Sequence, residues 1–252
     1  MTRLLTSFVL IPVILWTVIR APEWCFLAAL CTVAAICYHE FSTITGGDRA
    51  GLVAGLGAGL MLLLLPGGQF TVVTLVSLLA MTVAMRSDEL SAALPRAATF
   101  VFGIVYIFGA WRFAVPLRAA SPHWLLFALG LNWAGDAAAY YVGRAIGMHK
   151  LAPRVSPKKS WEGSIASVAA SVLVAILYFP RFLPHVPLWQ AAILAVAANA
   201  AGQLGDLSES AIKRGAGVKD SGTLLPGHGG LLDRVDSSLF SIPVVYLFVR
   251  FV

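Results

Sequence analysis

The chain has 252 residues, of which 59% are hydrophobic and only 12% are charged, and its mean hydropathy is +0.83. A soluble domain carries about twice that charged fraction, so the composition argues against a water-soluble domain and favours a polytopic membrane protein. The net charge of +6 does not imply a nucleic-acid partner, because Lys and Arg in a membrane protein first reflect its topology.

The N-terminal hydrophobic segment starts almost at Met1 and lacks a convincing cleavage site, so we expect a retained helix rather than a signal peptide. The three cysteines, Cys25, Cys31 and Cys37, lie in one early hydrophobic stretch without ligand residues nearby. They indicate small buried apolar side chains rather than a disulfide or a metal site.

Nine hydrophobic stretches predict an all-α fold, a polytopic transmembrane helical bundle of about nine spans. The predicted spans are 4–20, 22–38, 50–66, 70–86, 97–116, 123–143, 161–180, 188–212 and 235–252. Several are near the minimum of roughly 17 residues for a membrane-crossing helix, so a re-entrant or tilted segment is an alternative for these.

The Lys and Arg residues predict the orientation of the bundle. Thirteen of the eighteen lie at the N-terminus or in loops that follow even-numbered spans, and five lie on the other side. The side with more positive charge faces the cytoplasm. The N-terminus and the two large polar loops, 144–160 and 213–234, are therefore predicted to be cytoplasmic, and the C-terminus to be outside.

The acidic residues divide the chain into two predicted regions. Seven of the twelve lie in the second half, namely Asp136, Glu162, Asp206, Glu209, Asp220, Asp233 and Asp236. Residues 1–120 are interpreted as a hydrophobic platform for packing or dimerisation, and residues 121–252 as the catalytic region. In the first half, His39–Glu40 at the end of the second span is interpreted as an interfacial cap or a cavity edge.

The eighth span carries a polar stripe along one helical face. Its members follow one another at steps of four, three, four and three, and they are Asn199, Gln203, Asp206, Ser210 and Lys213. Burying an acid in a bilayer costs at least about 2.5 kcal/mol, so Asp206 is expected to face a protein interior or a wet cavity.

The sixth and seventh spans carry similar stripes. The sixth has Asn132, Asp136, Tyr140 and Arg144 at steps of four, and the seventh has Ser160, Ser164, Ser167 and Ser171. The serines indicate close helix packing or contact with a ligand. For Asp136 and Arg144 the alternatives are an internal ion pair and a functional role.

The loop before the ninth span combines glycines with fixed charges. Its glycines are Gly217, Gly222, Gly227, Gly229 and Gly230, and the cations in and beside it are Lys213, Arg214, Lys219 and Arg234. Backbone amides and cations of this kind bind phosphates. Asp220, Asp233 and Asp236, with Asp206 nearby, offer hard oxygen ligands for Mg²⁺ on a nucleotide.

The other cytoplasmic loop adds Lys158 and Lys159 directly before a predicted helix start, where Ser160 favours an anion-facing N-terminus. His228 is the only histidine of the glycine-rich loop, and it orients a phosphate, acts as acid or base, or serves as a turn residue. These features predict a membrane site for a phosphorylated ligand and a divalent metal. They leave a transferase, a phosphatase and a transporter open.

The charged run from Ser210 to Asp236 resembles the signature of the CDP-diacylglycerol synthases, the phosphatidate cytidylyltransferases. Its matching pieces are Lys213-Arg214, Lys219-Asp220, Pro226-x-His228-Gly229-Gly230 and Asp233-Arg234-x-Asp236. The segments 205–210 and 143–163 are similar to that family as well, so the resemblance extends from about Asp136 to Ser237.

This resemblance implies an enzyme of the bacterial inner membrane with a polar cavity open to the cytoplasm. The phosphate of phosphatidic acid would attack the α-phosphorus of CTP and give CDP-diacylglycerol and pyrophosphate, with Mg²⁺ as cofactor. It further implies a homodimer, and a second, monovalent cation remains open. The alternatives are a cytidylyltransferase for an ether or isoprenoid lipid phosphate, and a non-enzymatic transporter of a phosphate ligand.

The same resemblance implies roles for polar residues of the two loops and of the helices beside them. The implied metal ligands are Asp206, Asp220, Asp233 and Asp236, and the implied catalytic group comprises Asp220, Asp233, Asp236, Lys219 and His228. The implied substrate-binding residues are Lys158, Lys159, Ser210, Lys213, Arg214, Arg234, Asn132, Asp136 and Arg144.

Overall fold

The computed structural model describes residues 2–86, 89–224 and 229–251, with side chains described from Leu10 onward. These residues form nine helices and one short hairpin, which confirms the all-α prediction apart from the hairpin. The helices are α1 Thr2–Ile19, α2 Glu23–Ile44, α3 Arg49–Leu64, α4 Gln69–Ala84, α5 Leu90–Ala120, α6 Pro122–Ile146, α7 Trp161–Phe182, α8 Leu188–Gly215 and α9 Leu232–Phe251. The hairpin pairs β1 Lys150–Ala152 with β2 Ser156–Ser160 in antiparallel register.

Three of these helices, α2, α5 and α7, are long and apolar enough to cross a membrane. Shorter apolar helices cover Leu10–Ile19, α3 and α4. The remaining helices α6, α8 and α9 carry most of the polar stripes, which lowers their hydropathy. Helix α5 is irregular, since it contains a π-helical turn at Val105–Gly109.

Side chains cap several helices at the positions where they begin. Asp48 accepts a hydrogen bond of 2.7 Å from the Gly51 amide at the start of α3. Ser160 accepts one of 3.2 Å from the Gly163 amide at the start of α7. Because Ser160 also ends β2, this cap fixes where the hairpin turns into the helix.

The helices share one hydrophobic core that extends from α1 to α9. The most extensive packing joins α6 to α7, α7 to α8, and α8 to α9, while α2 packs against α3, α5 and α9. Large aromatic side chains from both halves of the chain, Phe108, Phe127 and Phe179, are fully buried in this core. The helices that position the polar residues are therefore held in part by apolar contacts with this core.

Polar side chains connect α7 to α8 inside this apolar surrounding. Asn199 donates hydrogen bonds to the hydroxyls of Ser167 at 3.0 Å and Ser171 at 2.8 Å, and Ser164 donates to Gln203. Ser171 in turn donates to the Leu131 carbonyl of α6 at 3.1 Å. The interpretation of the serine stripe as helix packing is confirmed, because these hydroxyls bond neighbouring helices.

Candidate active site

A cavity of about 580 Å³ lies between α1, α2, α6 and α9. Its polar part is formed by Asn132 and Asp136 of α6 and by Asp233, Arg234 and Asp236 of α9. The rest of its wall is mostly apolar and comes mainly from the segments Leu10–Val18 of α1 and Phe26–Val33 of α2, with Leu125 and Leu129 of α6. Along α6 the lining residues change from Leu125 and Leu129 to Asn132 and Asp136, so this helix contributes both an apolar and a polar part of the wall.

Three carboxylates converge near the polar end. Asp136, Asp206 and Asp236 lie within electrostatic range of one another, on three different helices. Asp236 is only 9% exposed, and its Oδ1 accepts a hydrogen bond of 2.6 Å from the Ser237 amide. Like charges brought together in this way favour a cation between or beside them.

The hairpin delivers a cation to this group of acids. Lys159 of β2 forms an ion pair with Asp206, and the two side chains are 27% and 29% exposed. Ser210, one turn further along α8, donates a longer hydrogen bond of 3.5 Å to Asp206 Oδ1. Lys158, the residue before Lys159, is exposed on the other side of the strand. The alternation of side chains along β2 therefore aims only one of the two lysines at the acids.

A second, more deeply buried set of charges lies between α8 and α9. Lys213 donates to Asp233 Oδ1 at 2.5 Å and forms an ion pair with Glu209. Asp233 Oδ2 also accepts from the amides of Ser221 at 2.9 Å and Gly230 at 2.8 Å. Asp233 precedes the predicted span 235–252. Burial raises its pKa, but the bonds from Lys213 and the two amides outweigh burial and hold the pKa below the usual Asp value.

An acidic residue of the first half completes this set. Glu40, near the end of α2, is 5% exposed. Its Oε1 accepts from the Leu231 amide at 2.9 Å, and its Oε2 accepts from the Leu232 amide at 2.8 Å and from the Ser221 hydroxyl at 3.0 Å. The carboxylate therefore caps α9 and contacts the loop before it. The sequence predicts an interfacial cap at the end of the helix that carries Glu40. Glu40 caps a different helix, α9, and this contact is missing from the prediction.

Comparison with known proteins identifies the family. The family model described as "Cytidylyltransferase family" matches residues 1–252. The chain belongs to the cytidylyltransferase family. A protein of Staphylococcus aureus named phosphatidate cytidylyltransferase is 38% identical over 74% of this chain and 75% of its own length. A protein of the same name from S. saprophyticus is 35% identical over 77% of both chains. Another from S. epidermidis is 31% identical over 97% of this chain and 95% of its own length.

The resemblance of the Ser210–Asp236 run to phosphatidate cytidylyltransferases is thereby confirmed. Within this cytidylyltransferase, several predicted site residues contact protein groups. Arg144 donates to the Tyr140 hydroxyl at 3.0 Å rather than to Asp136, so the internal Asp136–Arg144 ion pair is not formed. Asn132 donates to the Ser241 hydroxyl at 2.8 Å and joins α6 to α9 while lining the cavity.

The remaining predicted residues lie at the loop surface or outside the described part. Arg214, Lys219 and Asp220 are exposed, and none of them lines the cavity among the residues that the structure describes. Arg214 donates to the Val218 carbonyl at 2.9 Å, just beyond the end of α8. His228 lies outside the described residues.

The donor set of this cytidylyltransferase is compatible with Mg²⁺. In residues 2–86, 89–224 and 229–251, no three His, Cys, Asp or Glu residues are arranged to hold a metal by themselves. Mg²⁺ in nucleotide sites usually takes only one or two carboxylates and completes its shell with phosphate oxygens and water. Asp236 in the cavity wall and Asp206, which interacts with it electrostatically, offer that smaller set.

Proposed function

We propose that this chain is an integral-membrane phosphatidate cytidylyltransferase, which converts CTP and phosphatidic acid into CDP-diacylglycerol and pyrophosphate. The observation that carries the proposal is one cavity wall that combines acidic and cationic residues with a large apolar part. A nucleotide alone does not need an apolar wall of this size, whereas a lipid phosphate needs both kinds of surface. The names of the relatives point to the same reaction.

In the proposed reaction an oxygen of the lipid phosphate attacks the α-phosphorus of CTP. A new P–O bond forms, the bond between the α-phosphorus and the α–β bridging oxygen breaks, and pyrophosphate leaves with the electron pair. The nucleophile belongs to the lipid, so the protein needs no nucleophile of its own. Its residues have to bring two anionic groups together and offset their charge.

Arg234 at the cavity and Lys159 beside Asp206 are the cations placed to bind phosphate groups. Asp206 and Asp236 would hold Mg²⁺, which supplies positive charge to the triphosphate when it is bound. The apolar segments of α1 and α2 would accept the acyl chains. Lys213 and Asp233 already neutralise each other, so we assign them to the framework of the site in the ligand-free chain.

The nine predicted segments, from 4–20 to 235–252, are proposed to be nine spans, with the N-terminus and both polar loops in the cytoplasm and the C-terminus outside. The support is the bias of thirteen against five in the Lys and Arg count. This orientation puts the hairpin and the loop before α9 on the side where CTP is found. A homodimer is proposed on the resemblance to the family alone.

The decisive experiment incubates purified protein in detergent or vesicles with labelled CTP, phosphatidic acid and Mg²⁺. We expect labelled CDP-diacylglycerol and one pyrophosphate per product. Asp236→Asn should lower turnover by at least about a hundredfold with unchanged folding, because the charge is removed without a change of size. Asp48→Asn is the matched control, since Asn caps α3 as Asp does.

Parallel assays with an ether-linked and an isoprenoid lipid phosphate separate the related activities. Preference for one of these over phosphatidic acid would replace the proposed substrate but keep the reaction. Binding of CTP without any pyrophosphate release in all three assays would contradict the enzyme and favour a phosphate-ligand transporter.

A further inference from the structure

The end of α2 and the start of α9 are joined by one buried carboxylate. Glu40 is far from the catalytic signature in sequence, being separated from Leu231 by 191 positions and from Leu232 by 192. Even so, both of its oxygens are used by groups that immediately precede or begin α9. Glu40 is not among the described residues that line the cavity, so it can affect the cavity only through the residues that it contacts.

We propose that Glu40 is a positioning residue of the active site, which holds the first turn of α9 and the loop at Ser221 where they bring Arg234 and Asp236 to the cavity. This inference rests on the proposed transferase function. It concerns a residue of the first half of the chain, to which the motif of the second half assigns nothing.

Among the described residues, the two positions directly before α9 offer no side-chain cap. The residues that precede Leu232 are Gly230 and Leu231, neither of which offers a side-chain acceptor. The first amides of a helix need acceptors, and a carboxylate at that end also interacts favourably with the helix dipole. Glu40 supplies both from another helix, so the position of α9 depends on α2.

Glu40 is satisfied by neutral donors. Within the described part of the chain no Lys, Arg or His forms an ion pair with it, and its three partners are two backbone amides and one hydroxyl. A buried carboxylate that loses such donors is costly. The arrangement therefore has one favourable geometry, which is the property expected of a group that fixes a neighbour in place.

Ser221 is held from two sides. Its hydroxyl donates to Glu40, while its amide donates to Asp233 at 2.9 Å. The space around the carboxylate is tight as well, because a Cβ on Gly222 would lie 2.7 Å from Glu40 Oε1. Glu40 and Asp233 thus bind the two ends of the loop together, and Asp233 is itself anchored to α8 through Lys213.

The consequence for the site follows from helical geometry. Asp236 is one turn beyond Leu232 on α9, so a shift of the first turn moves its carboxylate and the Arg234 side chain by a similar amount. A misplacement of about 1 Å in a positioned reactant can lower the rate about a hundredfold. The apolar walls that would bind the lipid lie on α1 and on the other end of α2, so they should be unaffected.

The test compares Glu40→Gln with Glu23→Gln, a matched change at the exposed opposite end of the same helix. Glutamine has one acceptor oxygen, so its NH₂ group must face a backbone amide that needs an acceptor. We expect kcat of Glu40→Gln to fall between about tenfold and a hundredfold, with KM for phosphatidic acid within about twofold. Glu23→Gln should match the unaltered protein.

Two further variants grade the effect. Ser221→Ala removes one of the three donors and leaves both amide bonds, so it should lower kcat less than Glu40→Gln does. Glu40→Asp keeps the charge but shortens the side chain, and it should recover part of the loss. A residue that only stabilises the fold would instead reduce the amount of folded protein and leave kcat per folded molecule unchanged.

Hydrogen exchange at residues 229–236 gives a readout that needs no substrate. We expect faster exchange of the Leu231 and Leu232 amides in Glu40→Gln and no change in Glu23→Gln. Unchanged exchange, or a kcat within about twofold of the Glu23→Gln control, would overturn the positioning role. If the unaltered protein makes no CDP-diacylglycerol, the proposed function fails, and the exchange experiment still decides whether Glu40 fixes α9.

Discussion

Two Lys–Asp pairs of the same residue types lie within this site, and their surroundings differ. Lys159 and Asp206 are 27% and 29% exposed and form a single ion pair between the hairpin and α8. Lys213 and Asp233 are 10% and 5% exposed, and each has further partners, Glu209 on one side and two backbone amides on the other. Burial, rather than residue type, therefore separates a pair that can exchange partners from one that holds the fold.

The partly exposed pair separates at a lower cost than the buried pair, because solvent and a ligand can replace each partner. Lys159 can then turn to a phosphate while Asp206 turns to a metal. Separating the buried pair would leave a charge without compensation in the interior. We therefore propose that Lys159 and Asp206 bind ligands and that Lys213 and Asp233 hold the fold.

The largest expected effect comes from breaking the buried pair. Lys213→Met leaves Asp233 and Glu209 without their cation, and the free energy of unfolding should fall by about 3–5 kcal/mol. Thermal unfolding in detergent measures this, with the exposed Lys158→Met as the control. If Lys213→Met unfolds like the unaltered protein yet loses CTP turnover, Lys213 is a substrate ligand and the division between the pairs is wrong.

Breaking the partly exposed pair of Lys159 and Asp206 should instead affect catalysis. Lys159→Gln is expected to lower kcat/KM for CTP about tenfold to a hundredfold, because one phosphate-binding cation is lost. The free energy of unfolding should fall by less than it does in Lys213→Met, because solvent reaches both members of this pair. Steady-state kinetics and thermal unfolding of the same preparation check both parts. Unaltered kinetics would contradict a phosphate-binding role of Lys159 and leave its ion pair with Asp206 only a structural role.

A smaller change is expected for a polar contact without charge. Asn199→Ala removes the donor to Ser167 and Ser171 between α7 and α8 and should cost about 1 kcal/mol of stability. KM for CTP should stay the same, since these groups connect helices. Ser208→Ala, which bonds only its own helix at Leu204, is the matched control. A raised KM for CTP would indicate that the serine stripe contacts the ligand.

The smallest effect concerns pH. The folded-state pKa of Asp233 is depressed, so its contribution to stability is fully present above the unfolded-state pKa and is lost as pH falls through the folded-state pKa. We expect this contribution to be constant from pH 7 to pH 5 and to decline only below about pH 4. Thermal unfolding of Asp233→Asn against the unaltered protein across this range measures it. A difference that vanishes already at pH 6 would contradict the depressed pKa.

Local periodicity carried most of what the sequence could predict. The polar stripe of α8 was visible from its spacing, and its partners on α7 follow from the matching serine stripe. The hairpin was not foreseen, because its strands are short and contain Pro157 without an apolar alternation. The segment was expected only as the loop 144–160.

Contacts between distant residues account for what local patterns missed. Nothing near Glu40 in the sequence indicates that it caps a helix at the other end of the chain. Likewise, the spacing of Lys213 on the stripe of α8 does not reveal that Asp233 faces it. Such partners depend on how α2, α8 and α9 pack, which the 3.6-residue period does not specify.

The cap on α9 has a consequence for biosynthesis. Glu40 leaves the ribosome some 190 residues before the amides that it accepts from, which at about 5–20 residues per second is a delay of about 10–40 s. During that interval a carboxylate at the end of an apolar helix has no internal donors, so α2 has to keep this end near the aqueous surface. Glu40 therefore reaches its hydrogen-bonded position only after Leu231 and Leu232 have been made.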